Sequence, residues 1–448
     1  MSTVITRFPP SPTGLFHIGS ARTALFNYLF AAHQKGVMHF RFEDTDRERI
    51  KKEYENDILD GLAWLGIPIG DSEIVRQSER GDIYRKHIKS LLEKGHAYEA
   101  EEGKDDPSQK VIRFKNPNAS ITFKDHVRGD VTFDTSELKD FVIGRSIDEP
   151  LYHLAVVIDD HEMGVTHVIR GEDHISNTPR QILILEALGF TRPEYAHIPL
   201  ILAPDRTKLS KRHGATSLAE YRAMGFLPSA IVNYLALLGW NPGNDRELYT
   251  LEELIREFSI EKVHKGGAIF DLEKLKWFNR AHMDRMSQST FTDYILPELD
   301  RALKQRGIEI DTSIFEKLLP IIRERIATIN DLRELIEAGE FDYYFKLPQL
   351  DPRKIPQKAT SSEEAREHLG RVHELLATLE MKEYADHARL KNVIWPYASE
   401  KGRGSVLWPL RYALSGKEKS PDPFVILSVL GKEESLSRIK TAQSKLSA

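Results

Sequence analysis

The sequence predicts an α/β protein: a parallel sheet flanked by helices, interrupted by an inserted α+β subdomain and followed by all-helical domains. Strand-like and helix-like segments alternate through the first half, the order typical of a parallel sheet with helices on both faces. That alternation stops between about residues 78 and 150, and helical periodicity dominates after about residue 214. At 448 residues the chain is also too long for a single hydrophobic core.

The first half supplies the sheet. Its predicted strands are residues 4–8, 37–42, 165–169 and 197–203. Apolar residues at helical spacing predict helices over 21–32, starting near Gly19, and over 50–65. Another helix is expected to open at Thr178, a capping residue, with Pro179 at its first helical position.

The inserted and C-terminal parts follow other patterns. Within residues 78–150, short β-like pieces at 111–115 and 130–134 follow a helical start, which indicates an inserted subdomain. Beyond it the segments are helical, so the C-terminal half is predicted to form helical bundles. The helix signals there are an apolar run over 230–238, the capping pairs Thr250/Glu253 and Ser361/Glu364, and Asp422-Pro423 before a helix that Gly431 ends.

Composition narrows the classes of function. The chain has no cysteine, which excludes disulfides, thiol catalysis and cysteine-based zinc sites. No run approaches the roughly 18 apolar residues of a membrane span. The N-terminal segment MSTVITRFPP lacks the features of a signal peptide, so we expect a cytoplasmic protein. The net charge of −5 does not exclude nucleic acid, because phosphate binding needs only a local basic surface.

One basic surface is predicted at residues 389–411, where lysine and arginine outnumber acidic residues and Trp395, Tyr397 and Trp408 are interleaved. This mixture suits contacts with an RNA backbone and stacking on its bases. A solvated helix face with aromatic residues in the core is an equally good interpretation.

A first motif, RFPPSPTGLFHIGS (7–20), joins a predicted strand to a predicted helix. Ligands bind beyond the carboxyl ends of parallel strands, and helix N-termini offer N–H groups to anions. Gly14 and Gly19 leave room near the backbone, and His17, expected one turn before the helix, is placed to donate to a phosphate. The loop has neither a G-x-G-x-x-G nor a Walker A pattern, which disfavours a dinucleotide fold and a P-loop. An ordinary connecting loop explains this motif equally well on its own.

A second motif, RFEDTD (41–46), places Glu43, Asp44 and Asp46 after another strand. Such a cluster suits a metal site, a helix cap or a holder for an ammonium group. Capping is expected to account for Asp44 or Asp46. Glu43 lies nearest the strand end and is the better candidate to contact a ligand.

Two further motifs follow strands. VIRGEDH (168–174) places Arg170 at a strand end, where it would either complement an anionic substrate or pair with a neighbouring carboxylate. PDRTKLSKRHG (204–214) is a basic loop. Several cations on a loop suit a reaction that builds negative charge on phosphates, although a basic loop is usually only solvated.

Together the motifs resemble those of class I aminoacyl-tRNA synthetases, with HIGS (17–20) and KLSKR (208–212) in place of the HIGH and KMSKS signatures. The resemblance is strongest to the bacterial-type glutamyl-tRNA synthetases. TRFPPSPTGLFHIGS, RFEDTD, YHLAVVIDDHEMGVTHVIRGEDH and TKLSKRHGATS occur in that family's order, and FLPSAIVNYLALLGW and FDLEKLKWFN extend the similarity over nearly the whole chain.

The resemblance implies a Rossmann-like catalytic domain and ATP-dependent attachment of L-glutamate to tRNA(Glu) through a glutamyl-adenylate, with Mg²⁺ accompanying ATP. It also implies a monomer. The implied division is a catalytic domain in two halves (1–77 and 152–203), an inserted acceptor-stem-binding subdomain (78–151), the KLSKR loop with a helical stem-contact domain (204–320), and a helical anticodon-binding region (321–448).

The resemblance also assigns residues to roles. The implied catalytic residues are His17, Gly19, Lys208 and Lys211. The implied ATP-binding residues are His17, Gly19, Ser20, Asp173, Lys208, Leu209, Ser210, Lys211 and Arg212. The implied glutamate-binding residues are Arg7, Ser11, Glu43, Tyr152 and Arg170.

Three departures from the family accompany these assignments. Without cysteine, the zinc site that some relatives carry in the insert is not expected, and neither is any other metal site in the protein. The insert is short, and Val156 stands where some relatives have asparagine, so contacts there do not transfer. The alternatives are an enzyme that also charges tRNA(Gln) with glutamate, a glutaminyl-tRNA synthetase, and a non-catalytic RNA-binding paralogue. SPTG (11–14) and the helical C-terminal half weigh against the second, and the complete signatures weigh against the third.

Overall fold

A computed structural model describes residues 3–46, 48–69, 74–101, 110–359 and 361–446, apart from the side chain of Lys211. The chain divides into two compact units, Met1–His282 and Met283–Ala448. The five-part division expected from the sequence is finer than these units and stays a prediction.

The first unit contains all the described strands and the first group of helices. The strands are β1 Ile5–Phe8, β2 Val37–Phe42, β3 Val75–Arg76, β4 Ala97–Glu101, β5 Lys110–Phe114, β6 Ser120–Asp125, β7 Gly129–Asp134, β8 Phe141–Gly144, β9 His167–Gly171, β10 Glu194–Ile198, β11 Ile201–Leu202 and β12 Ala268–Ile269. The helices are α1 Ile18–His33, α2 Lys52–Trp64, α3 Gly81–Glu93, α4 Tyr152–Glu162, α5 Thr178–Leu188, α6 Leu218–Ala223, α7 Pro228–Leu237, α8 Leu251–Glu257 and α9 Leu272–Asp284, the last ending just past the boundary between the units.

A parallel sheet organises this unit. β1 pairs with β2, β2 with β3, and β9 with β10, all in parallel. The Thr166 N–H donates to the Ile5 carbonyl oxygen at 2.9 Å, which places β9 beside β1. The resulting order, β3-β2-β1-β9-β10, has β1 and β9 at its centre, where the strand order of a doubly wound fold reverses. The predicted fold class is confirmed.

Helix α1 packs on this sheet through buried apolar residues and one buried amide. The Asn27 Nδ2–H₂ group donates to the Ile169 carbonyl oxygen at 3.0 Å, and the Asn27 carbonyl oxygen accepts from the Thr6 hydroxyl at 3.1 Å. These bonds tie the helix to both central strands. Because buried polar groups must find partners, they also fix the rotation of α1 on the sheet.

The segment predicted as the insert, residues 78–151, is α+β as expected, since it contains α3 and strands β4–β8. β4, β5 and β8 form an antiparallel sheet, whereas the β6–β7 hairpin joins the edge of the parallel sheet where Asp125 pairs with Tyr195. Apolar side chains of the insert share one core with α4 and α5, including Phe114, Phe123 and Ile143. The insert is therefore packed against the catalytic sheet.

The second unit is helical throughout its described part. Its helices are α10 Gln288–Gln305, α11 Thr312–Arg325, α12 Ile329–Glu337, α13 Asp342–Phe345, α14 Ser362–Ala377, α15 His387–Lys401, α16 Arg403–Ser415, α17 Pro423–Leu430 and α18 Lys432–Lys445. The predicted caps are present: the Ser361 hydroxyl accepts from the Glu364 N–H at 3.0 Å, and Asp422 accepts from the Phe424 N–H at 2.9 Å. Gly431, at φ +77°, ends α17 as expected.

Several boundaries differ from the predictions, each for a local reason. The strand predicted over 197–203 divides into β10 and β11, because Pro199 has no N–H to continue a ladder. Asn177 precedes α5 as its N-cap in place of the expected Thr178. The Thr178 hydroxyl instead accepts a hydrogen bond from Arg170 Nη2.

No helix in the part of the chain that the structure describes combines the length and the apolar character needed to cross a bilayer.

Candidate active site

The predicted glutamate-binding residues lie around the carboxyl ends of the central strands. Arg7 is near the end of β1, Glu43 directly follows β2, and Arg170 is near the end of β9. The Glu43 N–H donates to the Pro10 carbonyl oxygen at 3.0 Å, so the loops after β1 and β2 lie side by side. The sheet thus brings together residues from three separate motifs.

A buried ion cluster forms the floor of this site. Asp160 bridges two arginines: its Oδ2 lies 3.2 Å from Arg7 Nε, and its Oδ1 lies 2.9 Å from Arg41 Nη1. Arg41, which is fully buried, also contacts Glu43 Oε1 at 3.1 Å. Burial by itself would raise the pKa of Asp160, but Arg7 and Arg41 lower it, so this carboxylate is ionised at neutral pH.

For Glu43 the effect of burial on the pKa exceeds the effect of the neighbouring arginines. Burial raises its pKa, and the opposing charges of Arg41 and Arg7 only partly offset that rise. Its carboxylate therefore gains when another cation comes close, because a second positive charge stabilises the ionised form. Its expected position beside an ammonium group stays a prediction.

Arg170 is the exception in the cluster, because the described residues supply no carboxylate partner for it. Its side chain is buried, Nε donates to His197 Nε2 at 3.2 Å, and Nη2 donates to the Thr178 hydroxyl at 2.8 Å. Burial lowers the pKa of Arg170 from its ordinary value. The alternative of an ion pair with a neighbouring carboxylate is not found in the described part of the chain.

His197 accepts a hydrogen bond from Arg170 and is itself bonded to Asp125. The sequence motifs did not identify either residue. Asp125 Oδ2 lies 2.6 Å from His197 Nδ1, so the hydrogen-bond network assigns the ring proton to Nδ1 and leaves Nε2 to accept from Arg170. Burial lowers the pKa of His197, which keeps the ring neutral. Asp125 comes from the insert, so only the tertiary fold makes this contact.

The remaining predicted glutamate contacts flank the cluster. The Tyr152 hydroxyl lies 3.2 Å from His174 Nδ1. Burial, followed by the negative charge of Glu43, raises the pKa of Tyr152, whereas burial and the charge of Arg170 lower the pKa of His174 to about 4. Ser11 is exposed on the loop after β1. Tyr152 and Ser11 therefore offer neutral hydrogen-bonding groups beside the charged floor.

His17 is the N-cap of α1 and does not lie one turn before it as expected. Its Nδ1 accepts from the Ser20 N–H at 3.2 Å. Desolvation by the surrounding protein, followed by the positive charge of Lys208, lowers the pKa of His17. A Cβ atom on Gly19 would lie 3.1 Å from the His17 ring, so this glycine makes room for the imidazole, whereas the space at Gly14 is open.

The HIGS motif and the segment after KLSKR are joined through their backbones. The Ile18 N–H donates to the Thr216 carbonyl oxygen at 2.9 Å, and the Leu218 N–H donates to the Phe16 carbonyl oxygen at 2.7 Å. His17 and Ser217 form the antiparallel bridge between these bonds. The two signatures consequently share one edge of the site.

The KLSKR loop is tied down at its base. Lys208 Nζ lies 3.1 Å from Asp173 Oδ2, and both side chains are exposed. Burial would raise the pKa of Asp173, but its contacts with Lys208 lower it. The Leu209 N–H donates to the Ile201 carbonyl oxygen at 3.1 Å. The backbone of Lys211 begins a short 3₁₀ turn, while its side chain lies outside the described structure.

Beyond the base of the loop, Ser210 and Arg212 both bond to His213. The Ser210 N–H donates to His213 Nδ1 at 3.2 Å, and Arg212 Nε lies 3.0 Å from His213 Nε2. The Arg212 guanidinium also donates to the Thr207 hydroxyl at 3.2 Å.

The other acidic residues of RFEDTD lie away from the floor. Asp44 accepts from the Ser78 N–H at 2.8 Å and from its hydroxyl at 2.6 Å. The N-cap of the next helix, α2, is Lys51, so the expected capping of that helix by Asp44 or Asp46 is not found. Asp46 lies 3.8 Å from exposed Arg49. Of the three acidic residues in this motif, Glu43 contacts buried Arg41.

The basic segment of the second unit, residues 389–411, places cations against its tryptophan rings, and contact with RNA there stays a prediction. Lys391 and Arg403 lie over the Trp395 ring, each at 4.6 Å, and Arg411 lies over Trp408 at 4.8 Å. Both rings are half-buried. One side of each tryptophan therefore packs inward, and cations extend from the other side.

Comparison with known proteins identifies the family. Residues 3–106 and 99–277 match the model for the catalytic domain of class I tRNA synthetases (E and Q), and residues 290–443 match an anticodon binding domain. The chain is 42% identical to the glutamate–tRNA ligase of Carboxydothermus hydrogenoformans over 97% of its own length and 99% of the relative, and 39% identical to that of Aquifex aeolicus over the full length of both.

A solved structure gives the same result. The glutamate tRNA ligase from Elizabethkingia meningosepticum, described as a complex with its amino acid, superposes with a TM-score of 0.86 at 33% identity, covering 99% of this chain and 100% of that one. The expected resemblance is confirmed, and with it the expectation of an aminoacyl-tRNA synthetase. The chain belongs to the class I tRNA synthetases for glutamate and glutamine.

Proposed function

We propose that this synthetase attaches L-glutamate to tRNA(Glu), consuming ATP through a glutamyl-adenylate and releasing AMP and pyrophosphate. The observation that carries the proposal is Arg170, a buried guanidinium that forms no ion pair with a carboxylate among the described residues. Its full-length relatives are glutamate–tRNA ligases, which supports the same substrate.

The side-chain carboxylate of glutamate completes the charge balance of the site. Arg7 and Arg41 already share Asp160, whereas Arg170 has only neutral partners. A buried charge is costly unless it is paired, so a substrate carboxylate gains a strong charge-assisted bond there. The neutral amide of glutamine leaves Arg170 unpaired, which gives the site its selectivity.

The other end of glutamate meets complementary groups. Glu43 faces the α-ammonium group, and Ser11 and Tyr152 supply hydrogen bonds beside it. Burial raises the pKa of Glu43, and a substrate cation beside it stabilises the ionised carboxylate. Glutamate is thus bound by one group of each sign, placed at the ends of β2 and β9, the two strands on either side of β1.

ATP binds on the edge that the two signatures share. The N-terminus of α1 presents the positive end of its helix dipole to the phosphates, since the Ile18 and Ser20 N–H groups are already bonded within the protein. Lys208 and Lys211, with Gly19, Ser20, Leu209, Ser210 and Arg212 around them, neutralise charge on the leaving pyrophosphate. The carboxylate of glutamate attacks the α-phosphate in line, and catalysis rests on positioning and charge stabilisation without a covalent enzyme intermediate.

Mg²⁺ fits this edge as a companion of ATP. The ion binds mainly through substrate phosphates with one or two protein carboxylates, and Asp173 offers an exposed carboxylate beside Lys208. When bound, Mg²⁺ neutralises phosphate charge. Asp173 leaves its contact with Lys208 to meet either the metal or the nucleotide.

The tRNA is bound by the remaining parts of the chain. The match to an anticodon binding domain over residues 290–443 supports anticodon contacts in the second unit, where the basic segment 389–411 offers phosphate-binding cations and stacking rings. We place the acceptor end against the insert. The protein acts as a cytoplasmic monomer in this proposal, and light scattering of the free chain tests the monomer.

Aminoacylation assays test the proposal. The purified chain with ATP and Mg²⁺ receives labelled glutamate or glutamine and either tRNA(Glu) or tRNA(Gln). We expect glutamate to be charged onto tRNA(Glu) and glutamine onto neither tRNA. Charging of glutamine would overturn the proposal. Glutamate on tRNA(Gln) would identify the broader enzyme, and binding of tRNA without charging would identify a non-catalytic paralogue.

A further inference from the structure

A cluster of metal-ligating groups lies at the end of the sheet opposite the active site. His167 begins β9 and Glu194 begins β10, whereas Arg170 is near the carboxyl end of β9. His126 directly follows β6, and its N–H donates to the Tyr195 carbonyl oxygen at 2.9 Å. Three separate strands therefore bring two imidazoles and a carboxylate to one edge.

The ligand atoms of these residues converge. One ring nitrogen of each histidine and one oxygen of Glu194 all lie within 4.8 Å of one another. His126 Nε2 is 2.6 Å and His167 Nε2 is 3.8 Å from Glu194 Oε2. Glu194 is exposed, so its side chain adjusts freely, while both histidines are held on the sheet.

The hydrogen bond made by His167 Nδ1, the ring nitrogen that faces away from the cluster, determines which nitrogen carries the proton. Nδ1 lies 2.8 Å from the Thr166 hydroxyl, which donates its own hydrogen to the Ile5 carbonyl oxygen at 3.2 Å. Because that hydrogen is committed, Nδ1 of His167 is the donor to Thr166. The lone pair of Nε2 consequently faces the cluster.

The far nitrogen of His126 has an acidic partner. Nδ1 lies 3.5 Å from Glu261 Oε1, and the other oxygen of Glu261 accepts from the Ser259 hydroxyl at 2.6 Å. A carboxylate behind a histidine is the usual support of a metal-binding imidazole, since it orients the ring and makes the other nitrogen a better donor to the metal.

We propose that His126 Nε2, His167 Nε2 and the Glu194 carboxylate bind a divalent transition metal ion, with Zn²⁺ the best fit. Two imidazoles and one carboxylate, with water in the fourth position, form a standard zinc ligand set, and imidazole disfavours Mg²⁺ and Ca²⁺. Binding replaces the His126–Glu194 hydrogen bond and releases its proton.

The surroundings suit such an ion. A cavity of ≈ 420 Å³ is lined by both His167 and Glu194, which gives access from solvent. On the other side the Phe30 ring packs 5.0 Å from the His167 ring, so the cluster has an apolar wall. The expectation that the protein has no metal site rested on the absence of cysteine, which leaves histidine and carboxylate ligands available.

The ion would join three parts of the first unit: the β6–β7 hairpin of the insert, the β9–β10 pair and, through Glu261, the turn Ile260–Lys262. The ion would lie at the opposite end of β9 from Arg170 and would take no part in the proposed reaction. The proposal therefore stands or falls independently of the proposed reaction.

Metal titration of the full-length chain tests the site. The chain is stripped with a chelator and titrated with Co²⁺, whose visible absorption reports tetrahedral coordination, and then with Zn²⁺ in competition. We expect one equivalent to bind to the wild type and to H87Q, a control that removes another histidine facing a glutamate, Glu162. E194Q and H126Q should lose the band, and E261Q should weaken binding by about 10–100-fold.

Thermal unfolding provides the second readout. Zn²⁺ should raise the unfolding temperature of the wild type and H87Q and leave that of E194Q unchanged. Since Glu194 is exposed, E194Q keeps the fold, so a folding defect in H126Q does not obscure the result. The proposal is overturned if the wild type gives no tetrahedral Co²⁺ spectrum, or if E194Q binds the metal as the wild type does.

Discussion

Replacing Arg170 with methionine should make the free protein more stable while nearly abolishing its activity. Arg170 is 6% exposed and is bonded only to neutral partners among the described residues. Burial of a charge costs several kcal/mol, and two hydrogen bonds to a charged group return about 1.5–3 kcal/mol each. These two terms roughly cancel. A methionine of similar length removes both and buries apolar surface in their place, so we expect a net gain of about 1 kcal/mol.

The loss of activity follows from the substrate side. Without Arg170, the glutamate carboxylate enters a buried site and leaves its charge unpaired, at a cost of about 3–5 kcal/mol. Because about 1.4 kcal/mol corresponds to a factor of ten, kcat/KM for glutamate in aminoacylation should fall by roughly two to four orders of magnitude. Glutamate should raise the unfolding temperature of the wild type and not that of R170M.

Arg7 provides the matched control, because it is an equally buried arginine that has a carboxylate partner, Asp160. R7M leaves Asp160 with Arg41 alone and should lose up to about 3–5 kcal/mol of unfolding free energy. Denaturant unfolding of the two variants without substrates makes the comparison. If R170M is destabilised as much as R7M, then Arg170 is an ordinary structural residue and the argument from its unpaired charge is refuted.

Three further outcomes are expected. K208Q should reduce the aminoacylation rate and shift the unfolding free energy by less than about 1 kcal/mol, since Lys208 is 62% exposed and its pair with Asp173 is at the surface; a large loss of stability in urea unfolding would contradict this. H17A should lose about 0.5–2 kcal/mol in the same measurement, because it removes the cap of α1, and an unchanged stability would show that the cap contributes nothing. The unfolding free energy should fall as the pH decreases from about 6.5 to about 4. Burial lowers the pKa of His153 and His174 to about 4, so in this range the unfolded chain binds protons that the folded chain does not. H153Q should flatten the pH dependence in urea unfolding measured at several pH values, and an unaltered dependence would contradict this assignment.

The parallel sheet was predictable because its strands are short apolar runs between helices, and the edge where ligands bind follows from that topology. Glu43 and Arg170 could be identified as ligand candidates from their positions at strand ends, whereas Arg7 was assigned to the site only by the family resemblance. The end of β10 was not predictable from apolar character, which continues past Pro199; the missing N–H of that proline divides the strand.

The supporting residues of the site were beyond reach from sequence patterns. Asp125 holds His197 from a distant point in the chain, and no local periodicity encodes such a pairing. Arg41 and Asp160 lie inside recognisable motifs, yet their charges gave no sign that they bond to each other in the core. The capping role of His17 was also hidden, because serine, threonine, aspartate and asparagine are the residues normally expected there.

The backbone bridge between His17 and Ser217 has a consequence for how the two signatures vary. Its bonds run between N–H and carbonyl groups, so they persist whatever side chains occupy these positions. Helices α1 and α6 both start from this bridge, so a displacement of one start displaces the other. Replacement of the last histidine of HIGH by Ser20 therefore alters the chemistry offered to the nucleotide while the alignment of the two segments is retained.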